Sequence, residues 1–106
     1  MIERFDVYLV VLDPTVGSEI QKVRPCVIIS PNEMNRHLGT VIEAPLTSRG
    51  KCYPSRVRCR FDDRDGVILL DQIRTVDRAR LLRRLGRLQE TEQKDVLSAL
   101  ASMFAE

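Results

Sequence analysis

The sequence predicts a single α+β domain in which short strands curl into a small barrel and one helix closes the chain. Two observations carry this. Short runs rich in β-branched and aromatic residues, separated by turn signals, fill the chain as far as residue 88, and the apolar period then changes from two to about 3.6. Strands and helix do not alternate, which excludes a βαβ-wound parallel sheet. A length of 106 residues supports one hydrophobic core and would starve a second.

The elements follow in order. Residues 5–12 (FDVYLVVL) form a strand closed by Asp13-Pro14, and residues 25–30 (PCVIIS) are nearly continuous apolar sequence, as in a buried central strand. Residues 40–46 (TVIEAPL) follow a turn at Gly39. Residues 55–61 (SRVRCRF) alternate Arg56, Arg58 and Arg60 with Val57, Cys59 and Phe61, the pattern of a half-exposed strand. DDRDG at 62–66 is a turn, 67–76 a further strand, and 81–88 another, interrupted by Gly86. Thr91 is placed to cap a helix, with Glu92 and Asp95 near its positive end. Val96, Leu97, Leu100, Met103 and Phe104 then make one apolar face. Asn32 and Asn35 read as caps of the turn after PCVIIS. Two Pro- and Gly-containing segments, 13–24 and 47–54, are expected to be mobile loops, where binding and catalytic groups tend to sit.

Composition narrows the function classes. No apolar run approaches the roughly 20 residues that span a bilayer, and the N-terminus lacks a basic start followed by an apolar stretch, so a cytoplasmic location is expected. Three cysteines, Cys26, Cys52 and Cys59, lack zinc-knuckle spacing, and His37 is the only histidine, so neither a metal nor another cofactor is expected. Charge is segregated. Residues 49–87 hold twelve Lys/Arg against five acids, a net +7, while residues 1–48 sum to −2 and 88–106 to −3. Arginine-rich sequence of this kind suits phosphate recognition through bidentate guanidinium contacts, or equally a set of solvated strand faces.

The runs DPTVGSEIQKVRPCVIISPNEMN (13–35), APLTS (44–48) and LDQIRTVD (70–77) closely resemble the signature segments of the MazF/PemK toxins. The opening VYLVVLDP, the late RLGRL and the helix ending in MF extend the likeness over nearly the whole chain. The resemblance implies an SH3-like small barrel, a homodimer, sequence-selective cleavage of single-stranded RNA, and inhibition by a partner antitoxin, MazE-like or other.

Metal-free RNA cleavage uses the 2′-hydroxyl as nucleophile on the adjacent phosphate. It needs charge stabilisation, a proton acceptor and a proton donor. A histidine pair is excluded within one subunit. Arg24, where the first loop meets the buried strand, is the candidate electrostatic clamp and proton donor, and the resemblance places the matching arginine in the active site. Its bland alternative is a pairing with Asp13 or Glu19. Thr47 and Ser48 offer hydroxyls to phosphate oxygens, the threonine position again assigned by resemblance, although Thr-Ser after a strand is also ordinary turn chemistry. Glu19 and Asp71 are the acidic options for accepting the proton, with Asp71 equally readable as a structural partner of Arg74. Relatives of the PemK type carry a histidine where this chain has Ser18, so that version of the mechanism does not transfer whole. Gln72, Arg74, Arg49 and Lys51 are expected to grip substrate, with Tyr53 stacking on an unpaired base, while Tyr8, Phe5 and Phe61 read as core. A gyrase-poisoning toxin of the CcdB type is the rival reading, and it relies on a tryptophan-containing tail. This chain has no tryptophan and ends ASMFAE. A catalytically decayed domain is a third reading, opposed by the intact Arg24 and Thr47.

Overall fold

The computed structural model describes residues 1–12 and 23–106. Seven strands and two helices run in the order β1 (Asp6–Val11), β2 (Val23–Ile28), α1 (Asn32–His37), β3 (Thr40–Thr47), β4 (Arg56–Phe61), β5 (Arg64–Leu69), β6 (Arg74–Asp77), β7 (Leu81–Arg87) and α2 (Glu90–Phe104). Short 3-10 turns occupy Leu70–Gln72 and Arg78–Arg80. The strands form one curled antiparallel sheet in the order β4-β5-β3-β2-β1-β7, with β6 also paired to β3. This is the α+β half-barrel with a terminal helix that the sequence predicts.

β3 is the hub. On one side its residues Glu43–Pro45 pair with β2. On the other, Thr40–Glu43 pair with β6 and Leu46 and Thr47 pair with β5. Alternation along the strands divides the apolar residues between two clusters. The larger holds Val7, Val27, Ala44, Leu46, Val57, Cys59, Ile68 and Leu70, and α2 covers it with Val96, Ala99, Leu100 and Met103. The smaller holds Val10, Cys26, Ile28, Val41 and Val76. Cys26 is fully buried, as expected of a small core residue. Burial, and then the nearby Glu43 carboxylate, push its thiol far above the ordinary range, so it stays protonated and inert.

Several local expectations are corrected. The strand expected over 67–76 is broken in two by the turn at Leu70–Gln72. The turn expected over 62–66 is confined to Asp62 and Asp63, whose φ values of 55° and 60° give the tight hairpin twist that matches strand twist, and Arg64–Gly66 already belong to β5. β7 continues through Gly86, although its pairing with β1 slips beside it, between Gly86 and Arg84, and the Phe61 ring lies close: a Cβ on Gly86 would sit 2.9 Å from Phe61 Cε1. Asn32 begins α1, and Pro31 precedes it as N-cap. Asn32 Oδ1 accepts from Arg4 N at 2.7 Å, whereas Asn35 is buried and bonded to Ser30. α2 starts at Glu90, with Gln89 rather than Thr91 as its N-cap. On its apolar face Val96 is buried, while Leu97 and Phe104 stay exposed.

Glu92 fixes the helix to the sheet. One carboxylate oxygen accepts from Gln89 N at 3.0 Å, closing the capping box, and the other accepts from Arg60 N of β4 at 2.7 Å. Because Glu92 is nearly buried, removing it leaves two N–H groups without their acceptor. Glu92→Ala is expected to lower unfolding stability by about 1–3 kcal/mol, read as a reduced midpoint in urea. An unchanged midpoint would show that water replaces both bonds.

Candidate functional site

The site begins with two prolines. Pro25 in β2 and Pro45 in β3 have no N–H to give a ladder, and β2–β3 pairing stops at Cys26↔Pro45. β3 then takes β5 as partner through Leu46 and Thr47, while β2 continues along β1 with Arg24 opposite Val10. Carried two residues further, the β2–β3 register would set Arg24 opposite Thr47. The strands part instead, and both residues lie at the fork.

Two cavities flank them. A larger one, about 520 Å³, has walls that include Arg24, Thr47, Ser48, Phe61 and the β4–β5 hairpin. A second, about 410 Å³, is lined by Arg24, Thr47, Arg49, Arg56, Gln72 and neighbouring apolar residues. Arg24 and Thr47 are thus a shared partition. Both are half-buried. Thr47 Oγ1 accepts from Arg49 N at 3.2 Å, which sets the hydroxyl at the start of the loop.

Asp71 lies elsewhere. Its carboxylate is held by Arg56 in a fork, Nε–Oδ1 at 3.1 Å and Nη2–Oδ2 at 3.3 Å, with Ser55 Oγ at 3.4 Å. Of the two readings the sequence left open, the structure favours a structural acid, with Arg56 rather than Arg74 as its partner. The hydrogen bond from Arg56 holds Asp71 below the ordinary carboxylate range, and the same bond raises Arg56. Arg56 also donates to the Lys51 carbonyl at 3.3 Å and stacks 4.8 Å from the Tyr53 ring centroid. One guanidinium so ties the loop after β3 to the turn at Leu70–Gln72. Sequence reasoning missed this role, and the available signal was the first arginine of the alternating strand.

The remaining expected residues divide. Gln72 and Arg49 join Arg24 and Thr47 at the smaller cavity, and Ser48 joins them at the larger. Lys51, Tyr53 and Arg74 line neither, and Arg74 sits opposite Glu43 on the β6 side of β3. Tyr53 is half exposed with Arg56 over its ring. Glu19 lies outside the described residues, as do Asp13 and Ser18. Phe61, expected in the core, packs half-buried against the larger core cluster and also lines the larger cavity.

Much of the basic stretch is engaged internally. Arg60 pairs with Asp65 at 2.9 Å. Arg84 and Arg87 each approach buried Asp6 at 3.2 Å. Arg78 donates to the Asn35 and Leu38 carbonyls and Arg80 to that of Val11. Arg58 Nε reaches Cys52 Sγ at 2.9 Å. The side chains of Arg49, Lys51 and Arg64 make no hydrogen bond or ion pair with the described residues. Arg49 and Arg64 lie on opposite sides of the partition. Among the described residues no three His, Cys, Asp or Glu side chains gather as a metal site, and no helix is long and apolar enough to cross a membrane.

Comparison with known proteins places this geometry. The model of the PemK-like, MazF-like toxins of type II toxin–antitoxin systems matches residues 3–104. Endoribonuclease MazF of Staphylococcus saprophyticus is 42% identical, over 94% of this chain and 88% of that protein. The crystal structure of MazE-MazF (Form-II) from Deinococcus radiodurans superposes with a TM-score of 0.83 at 28% identity, covering 96% of this chain and 94% of that one. An endoribonuclease in complex with its cognate antitoxin, from a mycobacterial species, gives a TM-score of 0.80 at 26% identity, covering 96% and 93%.

The fork on Asp71 makes a signed expectation. Its folded pKa is depressed, so the tether to Arg56 is fully present above the ordinary carboxylate value and is lost only as pH falls through the lower, folded one. Carboxyl-carbon NMR should show Asp71 titrating below 3.8, its unperturbed value. A titration near neutrality, as a poised general base would give, would overturn the tether.

Proposed function

The chain belongs to the PemK-like, MazF-like toxins of type II toxin–antitoxin systems, and from that premise we propose that it is an endoribonuclease that cuts single-stranded RNA without a metal. The observation that carries the reading is that Arg24 and Thr47, at the fork between β2 and β3, together line both cavities. An RNA strand laid across these two residues has its phosphate at the partition and a nucleotide on either side.

The chemistry is an in-line attack. The 2′-hydroxyl oxygen bonds to the adjacent phosphorus and the bond to the 5′-oxygen breaks, leaving a 2′,3′-cyclic phosphate and a 5′-hydroxyl. Arg24 stabilises the charge that builds on the non-bridging oxygens and donates a proton towards the leaving oxygen. Thr47, with Ser48 beside it, hydrogen-bonds the same phosphate. The 2′ proton passes to a carboxylate. Asp71 is engaged by Arg56, and Glu19 is the other acid the sequence offers for that role. Arg49 and Gln72 hold the nucleotide in the smaller cavity, and Lys51, Tyr53 and Arg74 extend the contact surface.

Two of the related structures are named as complexes, one with a cognate antitoxin and one as MazE-MazF. For this chain we take the partner to be an acidic, MazE-like antitoxin segment that folds across the basic surface. We take the protein to be a cytoplasmic homodimer, whose interface buries the exposed Leu97 and Phe104 of α2. The gyrase-poisoning alternative has no tryptophan-bearing tail to support it.

Cleavage is expected to survive excess EDTA and to be abolished by a 2′-deoxy or 2′-O-methyl substitution at the cut. Loss on chelation with recovery on adding magnesium would overturn the mechanism. Arg24→Ala should lower the rate about 100-fold or more with the fold intact, and Thr47→Ala less, since Ser48 stands next to it. A folded Arg24→Ala protein of near-normal activity would move the clamp elsewhere.

A further inference from the structure

We propose that the larger cavity is a base-reading pocket for the nucleotide next to the scissile phosphate, selecting a base with an exocyclic amine over uracil through Asp62 and Arg64. The proposal rests on the endoribonuclease reading and names its specificity determinants. Its volume of about 520 Å³ lies in the range of small-ligand sites. It shares Arg24 and Thr47 with the smaller cavity, so the base it receives belongs to a nucleotide flanking the phosphate held there.

The walls suit an unpaired base. Phe61 offers an aromatic face, and its ring is backed by Gly86, where even a Cβ would approach to 2.9 Å. With one side against Gly86, the ring is placed to pack on an unpaired base in the cavity. Leu46, Leu85 and Pro25 complete an apolar surround.

The rim carries the discrimination. Among its charged groups Asp65 is engaged by Arg60 at 2.9 Å. Asp62 and Arg64 make no side-chain hydrogen bond or ion pair with the described residues. One is an acceptor only and the other a donor only. Together they match a base edge that offers an amine and an acceptor, as guanine, adenine and cytosine do. Uracil offers Asp62 only its imide N3–H, flanked on both sides by carbonyl oxygens that repel a carboxylate, whereas an exocyclic amine projects clear of such neighbours. Asp62 and Asp63 form the two-residue turn of the β4–β5 hairpin, at φ 55° and 60°, so the carboxylate is presented from a tight turn between paired strands.

The test is to digest a random-sequence RNA pool and sequence the new ends, with the rates of matched oligonucleotides as a check. The wild-type protein should disfavour uracil at one position beside the cut. Asp62→Asn keeps a residue that tolerates positive φ and places an amide donor where uracil carries a carbonyl, so discrimination at that position should fall about tenfold. Arg64→Gln should relax the same position, with the preference on the other side of the cut retained in both variants. Identical motifs for the wild-type protein and both variants would overturn the pocket while leaving the nuclease reading intact, as would a wild-type preference for uracil at that position. A wild-type protein that cuts no RNA would overturn the nuclease reading and the pocket with it.

Discussion

Two missing backbone hydrogens organise this protein. A ladder between antiparallel strands needs an N–H at each bonding position, and Pro25 and Pro45 bring the β2–β3 ladder to its end. Beyond them β3 has already turned to β5 and β2 stays with β1, so the sheet splits where its interior would otherwise continue. The fork exposes polar backbone at a place flanked by buried residues, a location that water or a polar ligand must fill. It also places Arg24 and Thr47, the proposed clamp and its neighbour, on strands rather than on loops, which fixes their positions more tightly than a loop would.

Charge in this chain is mostly structural. The +7 stretch at 49–87 suggests a broad phosphate-binding surface, yet most of its arginines are bound to carboxylates, carbonyls or a thiol of the same molecule. Buried Asp6 illustrates the reason. A carboxylate nearly out of water is strongly unfavourable unless paired, and Arg84 and Arg87 reach back to it from the neighbouring strand. By contrast the exposed Arg60–Asp65 pair contributes little, about 0–1 kcal/mol, and shapes the hairpin more than it stabilises it. What remains for a ligand is a few cations at separate points, among them Arg49 and Arg64 in the linings of the two cavities, rather than a uniformly basic face.

How much of this was legible follows from the range of each signal. Strands with strict alternation, as in SRVRCRF, and the helix with its 3.6 period were readable because burial acts on every second or every third-to-fourth residue. The breaks were not. LDQIRTVD reads as uninterrupted β sequence, and only pairing partners reveal that Leu70–Gln72 form a turn. Gln89 outcompetes Thr91 as cap because its N3 residue is Glu92, which β4 also needs, a tertiary reason invisible in the helix itself. Arg24 and Thr47 were singled out by motif, but their shared place at the proline fork was not. The pairing of Asp71 with Arg56 spans 15 residues and depends on β4 and β5 folding together. Phe61 does pack against the core, as its alternation predicts, but alternation could not show that it also lines a cavity.

The two sides of the site are mechanically linked through Gly66. An ideal Cβ on that residue would lie 3.3 Å from the Thr47 carbonyl oxygen and 3.7 Å from Cys59 Sγ. Glycine there lets β5 approach β3 closely enough to pair Thr47 with Val67, and the same strand begins at Arg64 on the rim of the larger cavity. The hairpin that carries Asp62 and Arg64 is therefore braced against the strand that presents the Thr47 hydroxyl. On the other side, Arg56 ties the loop after Thr47 to Asp71. Thr47 is held between a close-packed hairpin and a clamped loop, so a base seated on one side and a phosphate at the partition meet a single rigid frame. If the phosphate sits at Arg24 as proposed, a poorly fitting base displaces it rather than deforming the protein, and binding discrimination becomes discrimination in rate.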